Sequence, residues 1–369
     1  MANSLGFWTD REVDVNLHFN LWKLPYKKKK RDEEHKYFLD TGLLLKKSEI
    51  NEDLILKIFV PFSLENQNFL DLSEIMIKDK HLLNATFNRP LVCVRDNVRN
   101  RYFIKDEDNI SESFFMHTLK DDNIKIIKYD KEYSKITIKI NKEVLKEKDT
   151  YIRFRVNLLS EKFSTYVQDD DYFLKSAYKK EELVEFRINE LRNLSIKIQD
   201  FFANELNKIK VTQIHYFLVR SNDANLILSH KAFKRCRSVE HNIWQQYIND
   251  DNCDLKDNKS ILSYHWSEAG DDILHYGAFA KFSYTRSDRF KLYLFIFIFV
   301  SIILELVANG IYDLITGPKN AIIDVFTIMI MLLLLIPSIY YLLKFGYHTV
   351  KEILNFLKFI ICCRDDKGD

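Results

Sequence analysis

The residues best equipped for chemistry lie between His265 and His275, where two histidines and Glu268, Asp271 and Asp272 fall within eleven residues. Imidazoles and carboxylates can hold a divalent metal that activates water. Their spacing matches no metal motif, however, and Tyr264, Trp266 and Tyr276 beside them read as a packed surface. A second candidate is the pair Arg153 and Arg155 on one face of a predicted strand, since guanidinium forks in fixed register suit phosphate. A third is Ser301, Glu305 and Asn309, spaced i, i+4 and i+8 along one face of a predicted apolar helix. His215, His230 and His241 are scattered and form no motif.

Other chemistries are excluded by absence. None of the eight glycines is followed by Lys, which removes the phosphate-cradling P-loop, and no G-x-S-x-G, H-E-x-x-H or G-x-G-x-x-G run occurs. The five cysteines (Cys93, Cys236, Cys253, Cys362 and Cys363) include no C-x-x-C pair, so they read as reduced thiols. A net charge of +2 argues against a wholly basic nucleic-acid coat. The expectation is a chain without catalysis, metal or cofactor.

Strands position the arginines. Val13, Val15, Leu17, Phe19 and Leu21 alternate with polar residues, a period of two. Tyr37–Leu45, Leu54–Phe62, Leu91–Val94, Ile124–Tyr129 and Ile136–Ile140 are further strands. In Tyr151–Leu159, Ile152, Phe154, Val156 and Leu158 face one way, with Arg153 and Arg155 on an opposite face expected to be open. Lys27 to Arg31, followed by three acids, reads as a solvated loop with cancelling charge. Between Ser176 and Lys210, Leu191, Leu194, Ile198 and Phe201 are spaced 3-4-3 among Glu and Lys, which predicts one long helix. Val211–Arg220, Leu226–Leu228 and Ala278–Tyr284 read as strands and His241–Ile248 as a short helix.

The C-terminal quarter is different in kind. About two dozen mostly apolar residues from Leu292 to Ile315 suffice for roughly 30 Å of hydrocarbon. Gly317 to Asn320 supplies a turn, and Ala321 to Leu343 a second span, with Pro337 expected to kink it. Basic flanks (Arg286, Arg289 and Lys291 before, Lys344, His348 and Lys351 after) predict that both termini are cytoplasmic. The fold class expected is α+β: a β-rich domain with a long helix, followed by a two-helix transmembrane hairpin. The expected divisions are a β-rich sensor region over 1–175, an α+β region over 176–289, the hairpin over 290–345 and an interfacial tail over 346–369.

This layout, with the Ser301, Glu305 and Asn309 stripe and the Gly317–Asn320 turn behind a large domain, resembles the membrane effectors of bacterial anti-phage systems, most of all the channel component of Hailong-type defence. The resemblance implies a homo-oligomeric channel in the bacterial inner membrane, in contact with the lipid bilayer. A nucleotide or oligonucleotide from a partner enzyme would gate it. Ser301, Glu305 and Asn309 would line the pore and Arg153 and Arg155 are expected to bind ligand. The alternatives are a membrane-anchored metal-dependent hydrolase using the His265–His275 cluster, and a non-catalytic tethered signalling scaffold.

Overall fold

A computed structural model describes residues 4–26, 35–96, 101–109, 112–158, 162–167, 179–250, 252, 253, 255 and 260–285, with eleven more between 294 and 316. The chain divides into two compact units, Met1–Arg286 and Ser287–Asp369.

The first unit is dominated by strands. In chain order they are β1 (Gly6–Thr9), β2 (Val13–Pro25), β3 (His35–Leu45), β4 (Leu54–Val60), β5 (Phe69–Asp71), β6 (Leu91–Asp96), β7 (Arg101–Asp106), β8 (Phe114–Met116) and β9 (Ile124–Lys128). Then follow β10 (Ser134–Ile140), β11 (Thr150–Leu158), β12 (Ser164–Val167), β13 (Lys179–Ile188), β14 (Ile209–Ser221), β15 (Ala224–Ser229), β16 (Arg235–Ser238), β17 (Ile261–Ala269) and β18 (Tyr276–Thr285). The helices are α1 (Ser73–Lys78), α2 (Lys80–Phe87), α3 (Lys142–Glu147), α4 (Ile196–Asn204) and α5 (His241–Ile248).

A ten-stranded sheet runs in the order β16-β17-β14-β2-β3-β11-β8-β7-β6, with β5 also on β11. Two four-stranded sheets, β1-β4-β10-β9 and β12-β13-β18-β15, complete the unit. β14 and β17 thus share a sheet with β2 and β3, although they come from beyond residue 175.

Alternation explains the main core. Val15, Leu17, Phe19 and Leu21 of β2, with Ile152, Phe154 and Val156 of β11, pack against Leu56 and Ile58 of β4 and Val184, Phe186 and Ile188 of β13. Burying each such side chain contributes about 1.5–3 kcal/mol relative to exposure. The opposite face of the large sheet builds a second core with the helices. Trp22 and Tyr151 lie there with Met76 of α1, Leu82 and Leu83 of α2, and Trp244 and Tyr247 of α5.

The expected long helix over Ser176–Lys210 is corrected. Its described portion begins with β13, paired on both sides, to β12 and to β18. Glu182, Val184, Phe186 and Ile188 are buried while Leu183, Glu185 and Arg187 are half-buried, a period of two hidden under a Glu-rich composition. Asn189 then takes φ 51°, a left-handed conformation that an α-helix cannot run through, and its Oδ1 accepts from the Phe7 N–H at 2.7 Å. Helix resumes only as the nine residues of α4. Glu182 ties this sheet to the large one, since its buried carboxylate meets Lys23 Nζ of β2 at 2.9 Å and Arg220 of β14 at 3.3 Å.

The transmembrane hairpin is corrected as well. A span needs about 20 apolar helical residues to cross roughly 30 Å, whereas α4, the longest of the helices named above, reaches only about 13 Å at 1.5 Å per residue. No helix among the described residues is long and apolar enough to cross a membrane. The inner-membrane location and the transmembrane and ion-channel readings that rested on the hairpin are therefore corrected. Most of the first expected span, all of the second, the turn at Gly317–Asn320, the tail over 346–369 and the Lys27–Arg31 loop lie outside the described residues.

Phe186 is fully buried and stacks on Tyr216 with ring centroids 4.6 Å apart, joining β13 to β14. Phe186→Ala is expected to cost about 3–5 kcal/mol, read from the shift of the urea unfolding midpoint. A helix at this position with Phe186 at its surface would leave the midpoint nearly unchanged.

Candidate functional site

The face of the large sheet opposite the main core carries a polar row where an apolar one would ordinarily pack. Strand register aligns it: Arg153 lies opposite Gly42 and Arg155 opposite Asp40. Gly42 lies opposite His18 and Asp40 opposite Asn20. His18 in turn is level with His215, and Phe217 is opposite His265. Six strands, from β11 to β16, therefore contribute side chains to one surface.

Arg153 and Arg155 do not face solvent as their alternation suggests. They are 2% and 1% exposed, because α5 and its neighbours cover this face. Arg155 makes a two-pronged pair with Asp40, Nε to Oδ1 at 2.6 Å and Nη2 to Oδ2 at 3.0 Å. Its remaining nitrogen donates to the carbonyls of Tyr247 and Ile248 at 3.3 and 2.8 Å. Those are the last carbonyls of α5, which carry the negative end of the helix dipole. Asp40 also accepts from Trp22 Nε1 and Tyr247 Oη, each at 2.8 Å. Arg155 is fully committed to the fold.

Arg153 is held differently. It donates to Tyr247 Oη at 2.7 Å, Tyr151 Oη at 2.8 Å and Asn20 Oδ1 at 3.0 Å, all neutral oxygens. Among the described residues no carboxylate pairs with it. Gly42 makes the arrangement possible: a Cβ there would lie 2.9 Å from the Tyr151 ring carbon bearing the hydroxyl. Beside Arg153 opens a cleft lined also by His18, Asn20, Phe217, Arg237 and Trp244. The cleft measures about 450 Å³ with its open mouth, of which about 30 Å³ is wide enough to hold water. Arg237, on the exposed edge strand β16, sits at that mouth.

A chain of imidazoles leads away from the cleft. His18 Nδ1 lies 3.2 Å from Tyr151 Oη, the His18 and His215 rings meet edge to face at 5.0 Å, and His215 Nδ1 lies 3.0 Å from His265 Nε2. His265 stacks flat on Phe217 at 4.2 Å. Burial pushes all three imidazoles down, His18 well below the ordinary range and His265 to about 4. Arg153 and Arg89 reinforce this at His18, and Lys234, Arg235 and Arg237 at His265. No carboxylate is among the groups acting most strongly on any of the three.

The other sequence candidates do not gather here. Of the His265–His275 cluster, His265 joins the imidazole row and Glu268 pairs with Lys231 at 2.9 Å. Among the described residues no three His, Cys, Asp or Glu side chains are placed to hold a metal. Ser301, Glu305 and Asn309 are helical and exposed, and Ser301 Oγ donates to the Phe297 carbonyl at 2.9 Å. Sequence reasoning missed His18, Asn20, Asp40, Tyr247 and Arg237. One signal for Asp40 was available, a lone acid inside the otherwise uncharged stretch from Tyr37 to Leu45.

No protein-family model matches this chain, and no curated protein matches it either. The function is therefore argued from the geometry.

Asp40→Asn leaves the Arg155 guanidinium buried without its counter-charge, and is expected to cost about 3–5 kcal/mol, measured by urea unfolding. The histidines give a pH dependence of definite sign. They are neutral in the folded protein, whereas in the unfolded chain each takes a proton near 6.5. Stability is thus fully present above pH 6.5 and is lost as pH falls toward about 4, the value for His265. The expected slope is roughly 1 kcal/mol per pH unit for each histidine, less where the ring is partly exposed. Unfolding midpoints at pH 7 and pH 5 check this, and equal midpoints would contradict it.

Proposed function

We propose that the Met1–Arg286 unit is a non-catalytic ligand-binding module, a sensor whose ligand presents a small oxyanion of the phosphate class to the cleft at Arg153 and Arg237. The observation that carries this reading is the charge of Arg153. A buried cation is costly unless paired, and this one hydrogen-bonds only to two phenols and an amide, while the Asp40 carboxylate that acts on it from beyond contact is already engaged by Arg155. An anion in the adjoining cleft supplies the missing counter-charge, and the guanidinium fork matches the geometry of phosphate or carboxylate oxygens. Arg237 is exposed, and its hydrogen bond, to the Ala85 carbonyl, is long at 3.5 Å, so its guanidinium is available at the mouth.

A ligand oxygen at Arg153 leaves the rest of the ligand in the open mouth, toward Arg237 and Trp244. Among the described residues no carboxylate or cysteine lines the cleft. A nucleotide or oligonucleotide, the ligand class the anti-phage resemblance implies, carries such an anionic group. In a homo-oligomer, ligand occupancy in one copy would be passed to its neighbours.

Titration with sulfate and with inorganic phosphate, followed by calorimetry and thermal unfolding, tests the reading. At a hundredfold excess over Kd either anion should stabilise the protein by about 2.7 kcal/mol and raise Tm by several degrees. Arg237→Ala should weaken binding about tenfold, the loss of one charge-assisted contact, while leaving the unliganded Tm in place. A Tm indifferent to both anions would end the proposal.

A further inference from the structure

The imidazole row enters this cleft only at His18, and among the described residues no carboxylate contacts it to stabilise its charged form. Resting on the anion-binding reading above, we infer that anion binding is coupled to proton uptake: as an anion enters beside Arg153, the row of His18, His215 and His265 gains at least one proton.

Charged and polar groups face the row from each surrounding element. From β11 come Arg153 and the Tyr151 hydroxyl, the latter 3.2 Å from His18 Nδ1. Asn20 of β2 and Ser263 of β17 line the cleft as neutral groups. From β16 and the residue before it come Arg235, Arg237 and Lys234, which act on His265. Arg89, just beyond α2, acts on His18 and is itself paired with Asp106 at 3.1 Å. The carboxylate of β3, Asp40, is taken up by Arg155. The field along the row is therefore set by cations, and it opposes protonation.

An anion at Arg153 changes the sign of the nearest contribution. His18 reaches Arg153 through one shared phenol, since Tyr151 Oη accepts from the guanidinium at 2.8 Å and contacts the imidazole. Cancelling the guanidinium charge removes its repulsion of a proton at His18, and the bound anion adds an attraction. The contact between His215 and His265 lets a proton gained on that pair reside on either ring. Linkage makes the effect reciprocal: if binding takes up protons, acid must tighten binding.

Sulfate is the probe, because its own charge is constant over the range used. For the full chain, the Kd of sulfate is expected to be about tenfold lower at pH 5.5 than at pH 7.5, within the limit of tenfold per pH unit for one linked proton. The calorimetric heat should vary with the ionisation enthalpy of the buffer, which counts protons taken up. His265→Gln, at a member of the row that does not line the cleft, should still bind sulfate but lose part of this pH dependence. If that variant does not fold, the proton count on the unaltered protein decides the question alone. Sulfate binding with one affinity at both pH values and no buffer dependence would overturn the coupling and leave the anion site intact. Absence of sulfate binding at either pH would overturn both.

Discussion

Two guanidinium groups lie side by side under α5 with a single carboxylate between them, and much of the unit is arranged around that imbalance. Asp40 satisfies Arg155 with both oxygens, and takes two further hydrogen bonds from Trp22 and Tyr247. Tyr247 hands its proton to Asp40 and accepts from Arg153, so the second arginine touches the carboxylate only through a neutral relay. Removing a charge from water costs several kcal/mol, and a neutral relay returns less of that than a direct pair. The fold meets the cost for Arg155 completely and for Arg153 in part. That residual cost is the basis of the anion site proposed for the adjoining cleft.

The same constraint organises the two faces of the large sheet. On one face the alternating apolar residues of β2, β11 and β14 lock against the two smaller sheets and leave little freedom for adjustment. On the other, helices cover one end, and histidines and arginines occupy the end beneath β16. An apolar core behind a polar surface holds those side chains in fixed register. Rigid strands thereby set distances such as the 3.0 Å between His215 and His265.

How far this could be read in advance varied with the kind of signal. Period-two alternation over β2 and β11 is strong because one face of each is buried against other sheets, and these strands, like β3 and β14, lie within a few residues of the expected bounds. β13 was misread because its inner residues include Glu182, a buried acid whose partners, Lys23 and Arg220, are distant in sequence. A window of neighbours contains no trace of such a pairing. The arginine pair was visible as a pair on one face, but the direction of that face was not. Whether it meets water or a helix depends on α5, whose Tyr247 is about ninety residues further on. The histidine row was invisible for a related reason, since His18, His215 and His265 become neighbours only through the register of β2, β14 and β17.

The parallel pairing of β2 with β14 bears on how the molecule is made. Thr212 Oγ1 donates to Asn16 Oδ1 at 2.7 Å across 196 residues of chain. At a synthesis rate of about 5–20 residues per second, β2 leaves the ribosome roughly 10–40 seconds before its partner. Through that interval β2 can form a hairpin with β3, but its other edge, with unpaired N–H and C=O groups above an uncovered row of Val15, Leu17, Phe19 and Leu21, stands open to any passing strand. The nascent chain is at its most vulnerable while the centre of its largest sheet is still an edge.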